Sequence, residues 1–134
     1  MNYLLDTNIC IYFLNKVSEN LTRRFNAVNP GQIALCSIVK AELFYGAVKS
    51  GNPPKNLNTL HEFLSRFYSF SFDDSAAETY GRIRSCLEKA GTPIGPNDLC
   101  IAAIAITNDL TLVTHNRKEF DRVEGLKSED WTIR

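Results

Sequence analysis

Along the chain, short apolar runs alternate with longer stretches whose apolar residues recur at helical spacing. The runs predict strands at Tyr3–Leu5, Gln32–Cys36, Ser69–Phe72 and Leu110–Thr114, with a weak last one near Trp131–Ile133. Between them the pattern predicts helices at approximately Asn8–Asn15, Ser18–Ala27, Ile38–Lys49, Pro54–Phe67, Ser75–Ala90 and Asn97–Thr107. Asn29-Pro30-Gly31, Gly51-Asn52-Pro53-Pro54 and Gly91-Thr92-Pro93 each stop one element before the next begins. Asp73-Asp74-Ser75 supplies a cap for the long helix that follows, and Gly91 suits its exit. Strand alternating with helix implies an α/β fold in which helices cover both faces of a parallel sheet. Ligands of such sheets sit beyond the carboxyl ends of the strands, and Asp6 stands at one of those ends.

Length and composition then bound the class. At 134 residues, 44% of them hydrophobic, the chain is expected to form one domain over residues 1–134 with a core that needs no stapling. The longest apolar run, Leu99–Ile106, is too short to span a bilayer, and no positively charged start precedes a long apolar stretch. A soluble, cytoplasmic protein without membrane contact is expected. Cys10, Cys36, Cys86 and Cys100 form no metal-type spacing and read as buried reduced thiols. His61 and His115 share no local motif, which argues against a histidine-built zinc site. Fifteen basic residues balance fifteen acidic ones, so net charge alone points to no nucleic-acid partner.

Three carboxylates change this picture. In MNYLLDTNICIYFL, Asp6 follows the first strand, where a charge is costly unless a cation or hydrogen-bond donors sit beside it. In SIVKAELFYGAVK, Glu42 falls between Ile38 and Val39 on a helix apolar almost all round. It either points partly inward or shares an exposed face with Gly46 and Lys49. In GPNDLCIAAIAI, Asp98 opens a helix apolar on every side. The helix macrodipole alone would account for an acid at that place. Three converging carboxylates would repel one another and rise in pKa unless a hard divalent cation joined them, and oxygen donors suit Mg²⁺ or Mn²⁺ better than zinc. Beyond the strand Leu110–Thr114, Thr114 and Asn116 offer polar groups. Glu119 follows one helical turn after Asn116, either restoring a missing charge or simply solvated.

LLDTN, AELFYGA, IGPNDLCIAA and LVTHNRKEF, in this order and spacing, resemble the PIN-domain ribonucleases, and more narrowly the VapC toxins of type II toxin–antitoxin modules. The resemblance runs from Asn2 to the VEGLKSEDW segment. It implies a three-layer α/β/α PIN-like fold with a central, mostly parallel twisted sheet of four to five strands. It further implies a Mg²⁺- or Mn²⁺-dependent endoribonuclease, a VapB antitoxin as partner and a homodimer. Asp6, Glu42 and Asp98 match the family's acids, and Thr7 and Asn8 match the polar residues that support the first. Where many members carry a further aspartate this chain has Asn116, with Glu119 in reach to compensate.

The chemistry expected is hydrolysis of a phosphodiester in a structured RNA, tRNA being the leading candidate. Asp6 and Asp98 would hold the metal, Glu42 would orient or deprotonate the water, and Arg117 and Lys118 would draw in the RNA. Phe44 and Tyr45 either stack on bases or belong to core or interface. A phosphoacceptor receiver would need an acidic pair at the first strand, and a haloacid-dehalogenase-like phosphatase an aspartate where Asn8 stands. A PIN-type DNA nuclease and a catalytically weak antitoxin- or RNA-binding module remain as alternatives.

Overall fold

The computed structural model describes residues 1–133. Five strands, β1 (Tyr3–Leu5), β2 (Ile33–Cys36), β3 (Tyr68–Phe70), β4 (Thr111–Val113) and β5 (Lys127–Glu129), form one sheet in the order β3-β2-β1-β4-β5. Every adjacent pair is parallel. Residues of β2 are all buried, whereas the edge strands β3 and β5 are half-exposed. The helices are α1 (Thr7–Leu14), α2 (Glu19–Ala27), α3 (Ser37–Lys49), α4 (Pro53–Leu64), α5 (Asp74–Lys89), α6 (Pro96–Thr107) and α7 (Arg117–Phe120). From β1 the chain steps outward to β2 and β3, then crosses back to β4 and β5. Right-handed crossovers therefore put α1 to α4 on one face and α5 and α6 on the other, giving three layers. The order reverses between β1 and β4, and a crevice opens at the carboxyl ends of such a pair.

The core follows from these layers. Leu4 and Leu112, which share one face of the sheet, are fully buried, as are Ile101 and Ile104 of α6. On the opposite face Phe13 of α1 stacks on Phe25 of α2 at 3.9 Å, with Phe63 and Phe67 completing an aromatic cluster. Asp73 caps α5 by accepting the Ala76 N–H at 2.9 Å, and Gly91 takes a positive φ of 72° just past that helix. No helix of the described residues is long and apolar enough to cross a membrane.

Four expectations are corrected. The last strand is Lys127–Glu129 and not Trp131–Ile133. Edge strand β5 pairs through its backbone and carries polar side chains, so it lacks an apolar signature. Trp131, whose signal suggested a strand, is a buried plug that sets its ring edge against Tyr3 at 5.0 Å and donates its indole N–H to Glu129. Helix α4 stops at Leu64, three residues before the expected end, although Phe67 stays buried as the chain turns into β3. Strand β3 lies at Tyr68–Phe70, because Phe72 leaves the sheet to pack edge-on against Tyr80 of α5. All four cysteines are free, but only Cys10 and Cys36 are buried; Cys86 of α5 is exposed and Cys100 of α6 half-buried.

Candidate active site

Asp6 leaves β1 with its N–H bonded to the Val113 carbonyl of β4, then becomes the N-cap of α1. Its carboxylate accepts the Ile9 N–H at 2.9 Å. This double duty explains why an acid can stand at the mouth of a buried strand: the helix it starts supplies the donor. The residue is only 6% exposed. Burial pushes its carboxyl up to about 6, against hydrogen bonds from the Thr114 side chain and the Ile9 backbone, and the charges of Asp98 and Glu42 push the same way as burial.

Glu42 lies on the second turn of α3, half-buried, and accepts the Thr7 hydroxyl at 2.6 Å. Asp98 sits in the first turn of α6, whose N-cap is Gly95 and has no side chain to close the helix. Glu119 of α7 reaches in, its carboxylate accepting the Gly95 N–H at 3.4 Å. Asn116 holds the other oxygen of Glu119 by donating its amide at 2.8 Å. Burial, then the charge of Glu119, then that of Glu42 raise the Asp98 carboxyl to about 6. The Asn116 N–H in turn donates to the Thr114 hydroxyl at 2.9 Å. Thr114 thus ties the Asp6 carboxylate to the turn that carries Asn116 and Glu119.

Asp6, Glu42, Asp98 and Glu119 therefore share one electrostatic neighbourhood over the carboxyl ends of β1 and β4. Among the described residues no three His, Cys, Asp or Glu side chains close into a ready-made metal cage. The donors are oxygens only, and burial with the neighbouring negative charges makes Asp6 and Asp98 costly to ionise; that chemistry suits a hard divalent cation.

The supporting residues divide differently from the sequence expectation. Thr7 serves Glu42 rather than the first acid, because α1 turns its hydroxyl toward α3. Asn8 is exposed and lines, with Thr7, Ile11, Glu42, Tyr45 and Asn97, an open groove of about 530 Å³. Tyr45 is 66% exposed there, whereas Phe44 packs on the His61 ring. Among the cations, Arg117 is engaged by Ser128 at 3.2 Å and by Asp121 at 3.9 Å. Lys118 is exposed and makes no ion pair among the described residues. Sequence reasoning missed His115, which meets Asp130 and Thr132 across a gap of fifteen and seventeen residues that no local motif spans.

Carboxylates contributed by a first strand and three helices, gathered at the switch point of a parallel sheet, define an α/β protein of the PIN type, and a family model described as PIN domain matches residues 3–126. The chain belongs to the PIN-domain family and, within it, to the VapC ribonucleases. It is 41% identical to the tRNA(fMet)-specific endonuclease VapC of Shigella flexneri, over 98% of this chain and 99% of that protein. Among solved structures it resembles the DNA-bound VapBC of Salmonella typhimurium, at 40% identity and a TM-score of 0.92 over 98% of both chains. VapBC2 of Rickettsia felis, bound to a promoter DNA fragment, is similar at 43% identity and a TM-score of 0.90, covering 98% of this chain and 99% of that one.

Proposed function

We propose that the protein is the toxin of a type II toxin–antitoxin pair and a metal-dependent endoribonuclease, held inactive by a VapB-type antitoxin. The observation that carries this reading is the convergence of four carboxylates at the switch point of the sheet, where burial, with the charges of their acidic neighbours, raises the pKa of Asp6 and Asp98. The similarity to a tRNA(fMet)-specific endonuclease makes tRNA the substrate class we assign, and the VapBC complexes among its structural neighbours supply the partner.

Asp6 and Asp98 would hold a Mg²⁺ or Mn²⁺ ion, with Glu42 and Glu119 beside them. When bound, the ion supplies charge neutralisation at the acids, polarisation of the phosphate and a more acidic water. The chain's own residues do the rest. Asp6 is fixed by Ile9 and Thr114, so its free lone pairs face the crevice without a search through rotamers. Glu42, oriented by the Thr7 hydroxyl, accepts the proton of the attacking water. Glu119, clamped by Asn116 and Gly95, supplies the fourth negative charge, which an asparagine at position 116 cannot. Lys118 offers the RNA backbone a cation at the rim, and Arg117 contributes through a guanidinium whose position Ser128 fixes.

Attack by water leaves a 5′-phosphate and a 3′-hydroxyl. Purified protein incubated with tRNA(fMet) transcript in Mg²⁺, Mn²⁺ or EDTA, beside Asp6→Ala, tests the reading. Cleavage in either metal, lost in EDTA and in the variant, is the expected result. Cleavage that persists in EDTA, or that ends in a 2′,3′-cyclic phosphate, would overturn it.

A further inference from the structure

His115 stands between two residues of the site, Thr114 and Asn116, but its side chain belongs to a different set of contacts. Its Nδ1 lies 3.1 Å from Asp130 Oδ2 and 3.0 Å from Thr132 Oγ1. Thr132 spends its hydroxyl proton on Asp130 Oδ1 at 2.6 Å, and its backbone N–H donates to the same oxygen at 2.9 Å. Burial would raise the Asp130 carboxyl, but the bonds from Thr132 and His115 outweigh it and hold the group below its ordinary value. Both oxygens facing Nδ1 can therefore only accept, so the neutral ring must carry its proton on Nδ1. That fixes the tautomer and leaves Nε2, on the opposite edge, as a hydrogen-bond acceptor with no partner among the described residues.

The ring is also held in place. The Asp130 side chain is only 8% exposed and cannot swing away, and Tyr12 of α1 meets the imidazole edge-on at 5.9 Å. Tyr12 lies on the helix that Asp6 caps, and His115 follows directly on the threonine that steadies Asp6. The imidazole is 54% exposed. A rigid, outward acceptor on the turn that carries Thr114 and Asn116 has little structural purpose, because burying the Asp130–Thr132 turn needs only the Nδ1 edge.

We propose that His115 is a specificity-determining residue whose Nε2 accepts a hydrogen bond from a ribose 2′-hydroxyl of the RNA, and that Asp130 is the positioning residue that locks its tautomer. The inference rests on the endoribonuclease reading. Water-driven hydrolysis leaves the 2′-hydroxyl free of chemistry, and it is the group by which a protein tells RNA from DNA.

The test compares wild type, His115→Phe, Asp130→Ala and the double variant on tRNA(fMet) transcript in Mg²⁺ or Mn²⁺, with a DNA strand of the same sequence as competitor. His115→Phe keeps a ring against Tyr12 and removes the nitrogen. It is expected to raise KM about three- to tenfold, the range for one hydrogen bond, with kcat little changed. The preference for RNA over the DNA competitor should fall by the same factor. Asp130→Ala should do likewise alone and add nothing to His115→Phe, and both effects should fall on KM for RNA and on the preference for RNA over DNA, readouts that a merely structural role would not move. A His115→Phe enzyme with unchanged KM and unchanged RNA preference overturns this inference alone, as does a loss confined to kcat. A wild type that cuts no RNA removes the inference together with the function it rests on.

Discussion

Replacing Asp6 with asparagine should make the metal-free protein more stable, contrary to the usual effect of changing a buried residue. At neutral pH the carboxylate is ionised in the unfolded chain and solvated there, but in the folded protein it is buried beside Asp98 and Glu42. Raising an ordinary value of 3.8 to about 6 corresponds to about 3 kcal/mol at ~1.4 kcal/mol per pH unit. Asparagine keeps an oxygen for the Ile9 N–H, so the cap survives; some of the gain is lost in refitting the amide to Thr114, which leaves about 2 kcal/mol. For a chain of this size that is roughly 8 °C in Tm. Its pH dependence fixes the cause. A carboxyl raised by folding favours the native state fully below its unfolded value, 3.8, and that contribution is lost as pH rises through about 6. The variant's advantage should thus be complete at pH 7.5, shrink between 6 and 4, and vanish below. Thermal melts in EDTA across this range measure it, and added Mg²⁺ should raise the wild-type Tm more than that of Asp6→Asn. A variant no more stable than wild type at pH 7.5, or one whose advantage is the same at pH 4, would refute the claim that burial and like charge strain this site.

Further expectations follow from the same network. Thr7→Val, which removes the 2.6 Å hydrogen bond to Glu42, should lower kcat on tRNA about three- to tenfold with KM unchanged. Glu119→Gln removes the largest charge acting on Asp98, so the Asp98 carboxyl should titrate lower in the metal-free protein, read by carboxyl-carbon NMR. Asn116→Ala frees Glu119 from its 2.8 Å partner and should lower kcat, whereas Asn116→Asp should repel Glu119 and do the same at neutral pH. Trp131→Ala should cost about 3–5 kcal/mol, measured by urea unfolding, because the indole is fully buried against Tyr3.

Asp6, Glu42 and Asp98 were legible in the sequence because each breaks a local pattern: a charge after an apolar strand, a charge on an apolar helix, a charge at the head of a core helix. Helix periods and punctuation likewise placed β1, β2, β4 and most helices within a residue or two. What stayed hidden was set by partners distant along the chain. The polar edge strand β5 is specified by its backbone pairing with β4, which leaves no mark on its side chains. Thr7 looked like a companion of its neighbour Asp6, yet the turn of α1 hands its hydroxyl to Glu42, thirty-five residues away.

The segment Thr114-His115-Asn116 shows why such assignments resist local reading. Thr114 and Asn116 are joined to each other and serve Asp6 and Glu119, while His115 between them serves Asp130 and Thr132. The chain bends at His115 as it leaves β4, with the Asn116 N–H folded back onto the Thr114 hydroxyl, so three consecutive positions face two different tasks. Their division depends on where β4 ends and on the register that β5 imposes beside it, Val113 lying opposite Glu129. That register brings Asp130 and Thr132 alongside His115, and the backbone bond from Thr114 N–H to the Glu129 carbonyl fixes it at the last step. The edge strand with the weakest sequence signal is therefore the element that separates the acid-supporting face of this turn from its exposed imidazole.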